Sequence, residues 1–312
     1  MRERLNLFLR VTEVFENHGY RLSEACVLSN SCFDFFARRG ERLLLVKVLG
    51  NIDSLTETQA GEISRVAATL EAAPVVVGCR RGVEKLQRGV VYLRHGIACV
   101  SELTLEQALA GEHPALLCYR GGYYASVDGE QLRRLRQDHG LSRPALAKLV
   151  GVSAKAIYKY EEGEAGATFE TALKLERVLG EPLVKPVDIF RVPGAGQSPA
   201  PPARLKRLCR LGFEVLPVRK APFSALTRGE GRVLLTKLAK CRTRDVEERA
   251  RLLRSISATV GKRAFILLSS GRARNISGIA AVSLREVEEI ARARELLELI
   301  EERATPSQDA GG

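Results

Sequence analysis

The chain contains no tryptophan, a single methionine and only 5% aromatic residues among its 312. Nowhere do about eighteen apolar residues run together, which excludes a spanning helix of ordinary length. The N-terminal stretch MRERLNLFLRVTEVFENHGY mixes acids with an amphipathic pattern, as a signal peptide does not. A cytoplasmic protein with no membrane partner is the expectation. Metal-ligand spacing is missing too. The seven cysteines, Cys26, Cys32, Cys79, Cys99, Cys118, Cys209 and Cys241, are an odd number without a C-x-x-C pair, and His18, His95, His113 and His139 are dispersed. Most of the cysteines stand in apolar runs, so buried free thiols are expected and no metal. The chain also lacks G-x-x-x-x-G-K-[ST], G-x-G-x-x-G after a strand, G-x-S-x-G and H-E-x-x-H. Those absences remove the common sites for nucleotide cofactors, serine nucleophiles and catalytic zinc, and no cofactor is expected.

What is present is a globular composition, 45% hydrophobic and 28% charged, long enough for two or three domains. The net charge of +12 is unevenly placed. Residues 203–312 hold 23 Lys and Arg against 13 Asp and Glu, whereas residues 1–202 hold 26 against 24. A basic C-terminal part suits a polyanion, because each neutralised phosphate releases counterions. The alternative is a solvated face rich in arginine.

The N-terminal part reads as a helix from Arg2 to about Asn17, strands at Tyr20–Leu28, Cys32–Ala37 and Leu43–Leu49, and a helix at Thr56–Ala72. Strands at Pro74–Cys79 and Ile97–Val100 follow, then a helix at Thr104–Ala110. Arg38-Arg39-Gly40-Glu41 is the expected hairpin turn. The C-terminal part repeats this order: a helix at Arg204–Leu211, strands at Phe213–Leu216, Phe223–Thr227 and Arg232–Leu238, a helix at Arg244–Thr259, strands at Ala264–Ser269 and Ile279–Val282, and a helix at Leu284–Ile300. Two short echoes support a repeat. GIACVS at 96–101 answers GIAAVS at 278–283, and ARRGERLLLVKVL at 37–49 answers LTRGEGRVLLTKL at 226–238, with Lys47 facing Lys237.

Between the two parts, residues 129–180 carry the most specific signal. Leu132, Leu135 and Arg136 share one side of a helix that stops at His139-Gly140. Ser142 caps a second, short helix, with Pro144 in its first turn and Leu146, Ala147 and Val150 inward. Gly151-Val152 turn the chain, and Ser153 caps a third helix from Ala154 to Glu161. Ile157 and Tyr160, three apart, should face inward, leaving Ala154, Lys155, Tyr158 and Lys159 outward. Two helices joined by so short a glycine-containing turn form the motif that places its second helix in a DNA major groove.

The wording L-S-x-x-x-L-A-x-x-V-G-V-S-x-x-x-I-x-x-Y-E-x-G from Leu141 to Gly163 closely resembles the lambda-repressor/Cro-type (Xre-like) helix-turn-helix family. The resemblance implies an all-α, five-helix-type DNA-binding domain. It puts Arg143 where that family often has a glutamine touching the DNA. The candidate DNA-binding residues are Ser142, Arg143, Ser153, Ala154, Lys155, Tyr158 and Lys159.

A second resemblance concerns the flanks. FDFFARRGERLLLVKV is similar to the restriction-endonuclease-like superfamily, whose archaeal junction resolvases and Mrr-type nucleases carry an Asp, a hairpin and then E-x-K around a divalent metal. Asp34 matches the first acid and Lys47 the lysine, but Leu45 replaces the second acid. In the second copy Ser224 lies near the aspartate position and Leu235-Thr236-Lys237 repeats the loss. Asp34 and Lys47 are therefore degenerate candidates, and no catalytic or metal-binding set is expected.

The expected architecture is α+β and multidomain: a helix-turn-helix module between two duplicated α/β, restriction-endonuclease-like domains. The boundaries expected are 1–120 for the first α/β domain, 125–190 for the module, 191–203 for a Pro/Gly-rich linker, 204–303 for the basic second copy, and 304–312 for a disordered tail. The layout resembles an archaeal group of helix-turn-helix regulators of about this length. It implies a sequence-specific transcriptional regulator, not an enzyme, that binds double-stranded DNA as a homodimer. The alternatives are a structure-selective nuclease of the resolvase/Mrr-like class and an RNA- or protein-binding module.

Overall fold

The computed structural model describes residues 2–26, 31–119, 122–194, 196, 199–271 and 273–304. In chain order it has α1 (Arg2–Asn17), β1 (Arg21–Leu22), β2 (Phe35–Arg39), β3 (Arg42–Asn51), α2 (Glu57–Leu70), β4 (Ala73–Arg81), β5 (Glu84–Lys85), β6 (Val90–Arg94), β7 (Ile97–Val100) and α3 (Glu102–Leu109). Next come β8 (Leu116–Tyr119), β9 (Gly122–Val127), α4 (Gly129–Asp138), α5 (Arg143–Val150), α6 (Ala154–Glu161), β10 (Ala167–Thr168), α7 (Phe169–Leu179) and β11 (Val184–Lys185). The remainder is α8 (Lys206–Arg210), β12 (Glu214–Pro217), β13 (Ala225–Gly229), β14 (Arg232–Ala239), α9 (Arg244–Val260), β15 (Arg263–Leu268), β16 (Asn275–Ile276), β17 (Ile279–Ser283), α10 (Leu284–Glu289) and α11 (Ala293–Arg303). None of the described helices is long and apolar enough to cross a membrane.

Over their described residues, two compact units form. One joins Met1–Val14, Leu49–Leu55 and Val76–Ile189; the other joins Phe15–Val48, Thr56–Val75 and Phe190–Gly312. In the second unit β1, β2 and β3 are successive antiparallel neighbours, with Gly40 at φ 56° in the two-residue turn between β2 and β3. The C-terminal strands of this unit form a six-stranded sheet in the order β12-β13-β14-β15-β17-β16, in which β14, β15 and β17 are parallel. Its one face is covered by α8, α10 and α11 through Leu208, Val287, Leu296 and Ile300 against Phe265, Leu267 and Val282.

Several expectations need correction. The strand expected at Tyr20–Leu28 is only Arg21–Leu22: Ser23 N still donates to Phe36 O at 2.9 Å, but Phe36 N donates to the Ser23 hydroxyl at 3.0 Å in place of a backbone carbonyl, which interrupts the regular ladder. Residues 27–28 of that expectation lie outside the described residues. The single helix expected at Leu284–Ile300 is two, α10 and α11. Arg207 donates to the carbonyls of Val287, Glu288 and Ile290, satisfying the end of α10 and fixing the break. Of the tail expected at 304–312, the part from Thr305 lies outside the described residues.

The first unit contains the helix-turn-helix, and here the all-α, five-helix expectation gives way. Four helices, α4 to α7, are accompanied by strands: β9 pairs with β8, β10 and β11. No helix follows α7 between Glu181 and Ile189. Pro182 and Pro186 interrupt any helical amide ladder, and the intervening Val184 pairs with Val127 of β9. Ala125, Val127 and Ala167 from these strands enter the same core as Leu132, Leu146, Ala147, Ile157, Leu175 and Leu179. The sheet thus continues into the module's core.

At the middle of the module sits a buried carboxylate. Glu161, 4% exposed, ends α6. It accepts from Arg136 Nε of α4 at 2.6 Å and from Arg143 Nε of α5 at 2.8 Å. Arg133 Nε lies 3.5 Å away. Burial alone pushes the Glu161 carboxyl up, but the hydrogen bonds and charges of Arg136 and Arg143 outweigh it and leave the pKa lowered. Just above, α4 starts at Gly129, where a Cβ would stand 2.3 Å from the Glu161 carbonyl oxygen.

Glu161→Ala strips a buried arginine of its counter-charge and is expected to cost about 3–5 kcal/mol, read as a lower thermal unfolding temperature of the whole chain. Because the folded pKa is the lower one, this stabilisation is present above the pKa of the unfolded carboxyl and is lost as pH falls through the folded value. The gap in unfolding temperature between wild type and Glu161→Gln should therefore narrow on acidification; a gap independent of pH would contradict the ion-pair account. Gly129→Ala should lower the unfolding temperature as well, since the clash is with backbone and not with a yielding side chain.

Candidate nucleic-acid interface

The third helix of the module spans the expected residues, Ala154 to Glu161, and its inward and outward faces separate as the spacing predicts. Ile157 is 0% and Tyr160 8% exposed, in the core. On the other side Lys155 is exposed, Tyr158 is 42% exposed and Lys159 is half-buried. Ala154 departs from the expectation: it is half-buried and packs against the module core.

The serines hold the frame. Ser142 Oγ accepts from Ala145 N at 3.2 Å and Ser153 Oγ from Ala156 N at 3.1 Å, so both hydroxyls cap their helices while remaining exposed. Between the helices, Gly151 adopts φ 78°, a left-handed value that a residue with a Cβ avoids. Arg143 is half-buried. Its Nε is held by Glu161, and its guanidinium carbon lies 5.2 Å from the centre of the Tyr158 ring. Arg143 and Tyr158 therefore meet in one place, although they lie on different helices. Sequence reasoning missed Glu161 as the organiser, and the signal was in view: it is the E of Y-E-x-G in the motif itself.

The degenerate candidates behave differently. Asp34 and Lys47 are 3% and 6% exposed. Lys47 Nζ lies 3.4 Å from Asp34 Oδ1 and donates to Ser31 O at 2.8 Å, while Asp34 Oδ2 accepts from Val48 N at 2.6 Å. Leu45, at the place of a second acid, is fully buried in β3 opposite Phe36. Nearby, burial pushes the Cys32 thiol up to about 12, with Glu62 and Cys26 adding to it and Lys47 opposing. Burial likewise raises Glu62, against a hydrogen bond from Arg219 N and the charges of Arg65, Arg219 and Lys220.

These residues do not fit a divalent metal. Such an ion needs several oxygen ligands open to it, whereas both Asp34 oxygens are engaged and Leu45 has none to offer. Among the described residues no group of three or more His, Cys, Asp or Glu is placed to hold a metal ion.

A place in the C-terminal sheet has a similar backbone frame. Ser224 N donates to Thr236 O at 2.8 Å, as Asp34 N does to Val46 O at 2.8 Å. Ser224 Oγ accepts from Leu238 N at 3.0 Å, as Asp34 Oδ2 does from Val48 N. Among the cysteines, Cys26, Cys32, Cys99 and Cys118 are buried, Cys79 and Cys241 half-buried and Cys209 exposed.

Comparison with known proteins agrees with both parts. Residues 4–114 match the PD-(D/E)XK superfamily domain, and residues 132–185 match the helix-turn-helix family. A relative from Methanothermobacter thermautotrophicus is 37% identical over 310 residues, 98% of each chain. One from Thermococcus kodakarensis is 36% identical over 306 residues, 96% of each. A third, from Haloarcula marismortui, is 34% identical over 316 residues, 96% of this chain and 97% of its own. Each is named a "putative HTH-type transcriptional regulatory protein". With similarity running through the α/β parts and the helix-turn-helix alike, the chain belongs to this family of archaeal HTH-type transcriptional regulatory proteins.

Proposed function

We propose that this chain is a sequence-specific DNA-binding transcriptional regulator that lays α6 in the major groove. The observation that carries the reading is the outer face of α6: Lys155 and Tyr158 exposed and Lys159 half-buried, opposite a core-facing Ile157 and Tyr160. Lys155 and Lys159 supply charge to phosphates or base acceptors, and Tyr158 supplies a flat apolar surface with a hydroxyl at its tip. Arg143 joins them through its contact with Tyr158, while Ser142 and Ser153 present capped helix starts to the DNA backbone. Two copies of the chain bind as a homodimer to two half-sites.

The C-terminal α/β domain is a second copy of the N-terminal one. What supports this is the shared order of elements, the shared antiparallel opening of three strands, and the Asp34/Ser224 correspondence in hydrogen bonding. Ser101 and Ser283, which end the two echoed GIA segments, also both cap the helix that follows. Neither copy cleaves DNA: the nuclease reading needs an open metal site, and Asp34 with Lys47 is buried and closed.

Lys155→Ala combined with Lys159→Ala should abolish sequence preference in mobility-shift assays while the protein remains folded; an unchanged preference would mean that another element reads the DNA. Incubation of wild type with magnesium or manganese and branched or plasmid DNA should leave the DNA intact. Metal-dependent cleavage that disappears in Asp34→Ala would overturn the non-enzymatic reading.

A further inference from the structure

The two equivalent lysines, Lys47 and Lys237, stand in opposite electrostatic settings. Lys47 is buried with Asp34, and a second carboxylate, Glu62, reaches the same neighbourhood: both Lys47 and Glu62 act on the Cys32 thiol. Glu62 is the sixth residue after Thr56, the N-cap of α2. In α9 the N-cap is Thr243, and the sixth residue after it is Arg249. At the C-terminal site, then, Ser224 replaces Asp34 and Arg249 replaces Glu62. Two acids around a lysine have become a hydroxyl and a second cation.

Burial, followed by the charge of Arg249, holds the Lys237 ammonium below its usual pKa, with Asp245 pulling the other way. Asp245 is already committed, since a carboxylate oxygen lies 2.9 Å from Arg249 Nε, and it is itself exposed. Lys237 makes no ion pair among the described residues, so a partly desolvated cation feels the charge of Arg249 without an ion-pair partner of its own. Access differs as well. Asp34, Lys47 and Glu62 are buried, whereas Ser224, Lys237 and Arg249 are each half-buried and open to solvent.

We propose that Lys237, Arg249 and the Ser224 hydroxyl form an anion site in the C-terminal α/β domain that takes a phosphate of the DNA backbone. A phosphate oxygen offers the charge that Lys237 lacks and the acceptors that a guanidinium fork and a hydroxyl proton can use. The Ser224 Oγ lone pair already accepts from Leu238 N, which leaves its O–H free to donate outward. A position that carries an acid in the first copy thus accepts an anion directly in the second. This deepens the proposed function and rests on it: the site adds affinity without sequence choice, while α6 does the choosing.

The test uses the full chain. Lys237→Gln should weaken binding by a similar factor for preferred and mixed-sequence duplexes, and should lower the slope of log affinity against log salt by about one. Ser224→Asp rebuilds the carboxylate that the first copy carries in the same hydrogen bond, so it should fold normally and weaken binding in the same way by pairing with Lys237. Inorganic phosphate, titrated by NMR at salt-matched ionic strength, should bind wild type and not Ser224→Asp; a phosphate response with unchanged DNA binding would assign the site to a free phosphate and refute the DNA-backbone proposal. Affinity and salt slope unchanged in both variants would overturn it too. If wild type showed no sequence preference at all, the regulator reading would fall, while the slope and phosphate measurements would still decide the anion site.

Discussion

Glu161 receives one arginine from α4 and another from α5 while standing at the end of α6, so three helices meet on a single carboxylate. Such a cluster contributes little net stability relative to an apolar core of equal volume, because each charge loses its water. Its consequence is directional. The carboxylate ties α6 to α5, and with it sets how Arg143 stands beside the outer face of α6 that carries Lys155, Tyr158 and Lys159. It also holds Arg143 by Nε, turning its guanidinium over Tyr158.

A similar logic of counter-charge separates the settings of Lys47 and Lys237. Around Lys47 the acids remain, water is excluded, and the group is closed into structure. Lys237 makes no ion pair among the described residues and is half-buried. Leu45 and Leu235 offer no oxygen to a divalent metal, which requires several such ligands.

The sequence made the helices of the module legible because three independent signals coincided there: capping serines, a turn glycine and a three-residue inward spacing. Lys155, Tyr158 and Lys159 followed from that spacing alone. The partners of Arg143 could not follow, since a contact between residues 18 apart in sequence depends on how helices cross. The strands β8 and β9 were hidden for a different reason: LLCY and GYYASV are short and stand at the expected domain boundary between 120 and 125. Arg207 shows the limit most plainly. Nothing near Ile290 announces a break in the last helix; the break is stabilised by a guanidinium from some 80 residues earlier.

The account stands or falls on whether α6 chooses the DNA site. Selection of bound duplexes from a random pool by the full-length protein is the most direct measurement. The account predicts an enriched pseudo-palindrome with half-sites about one helical turn apart, in which the most constrained bases lie within the half-sites. A pool that stays random through successive rounds, or enrichment of a motif with no internal symmetry, would contradict it.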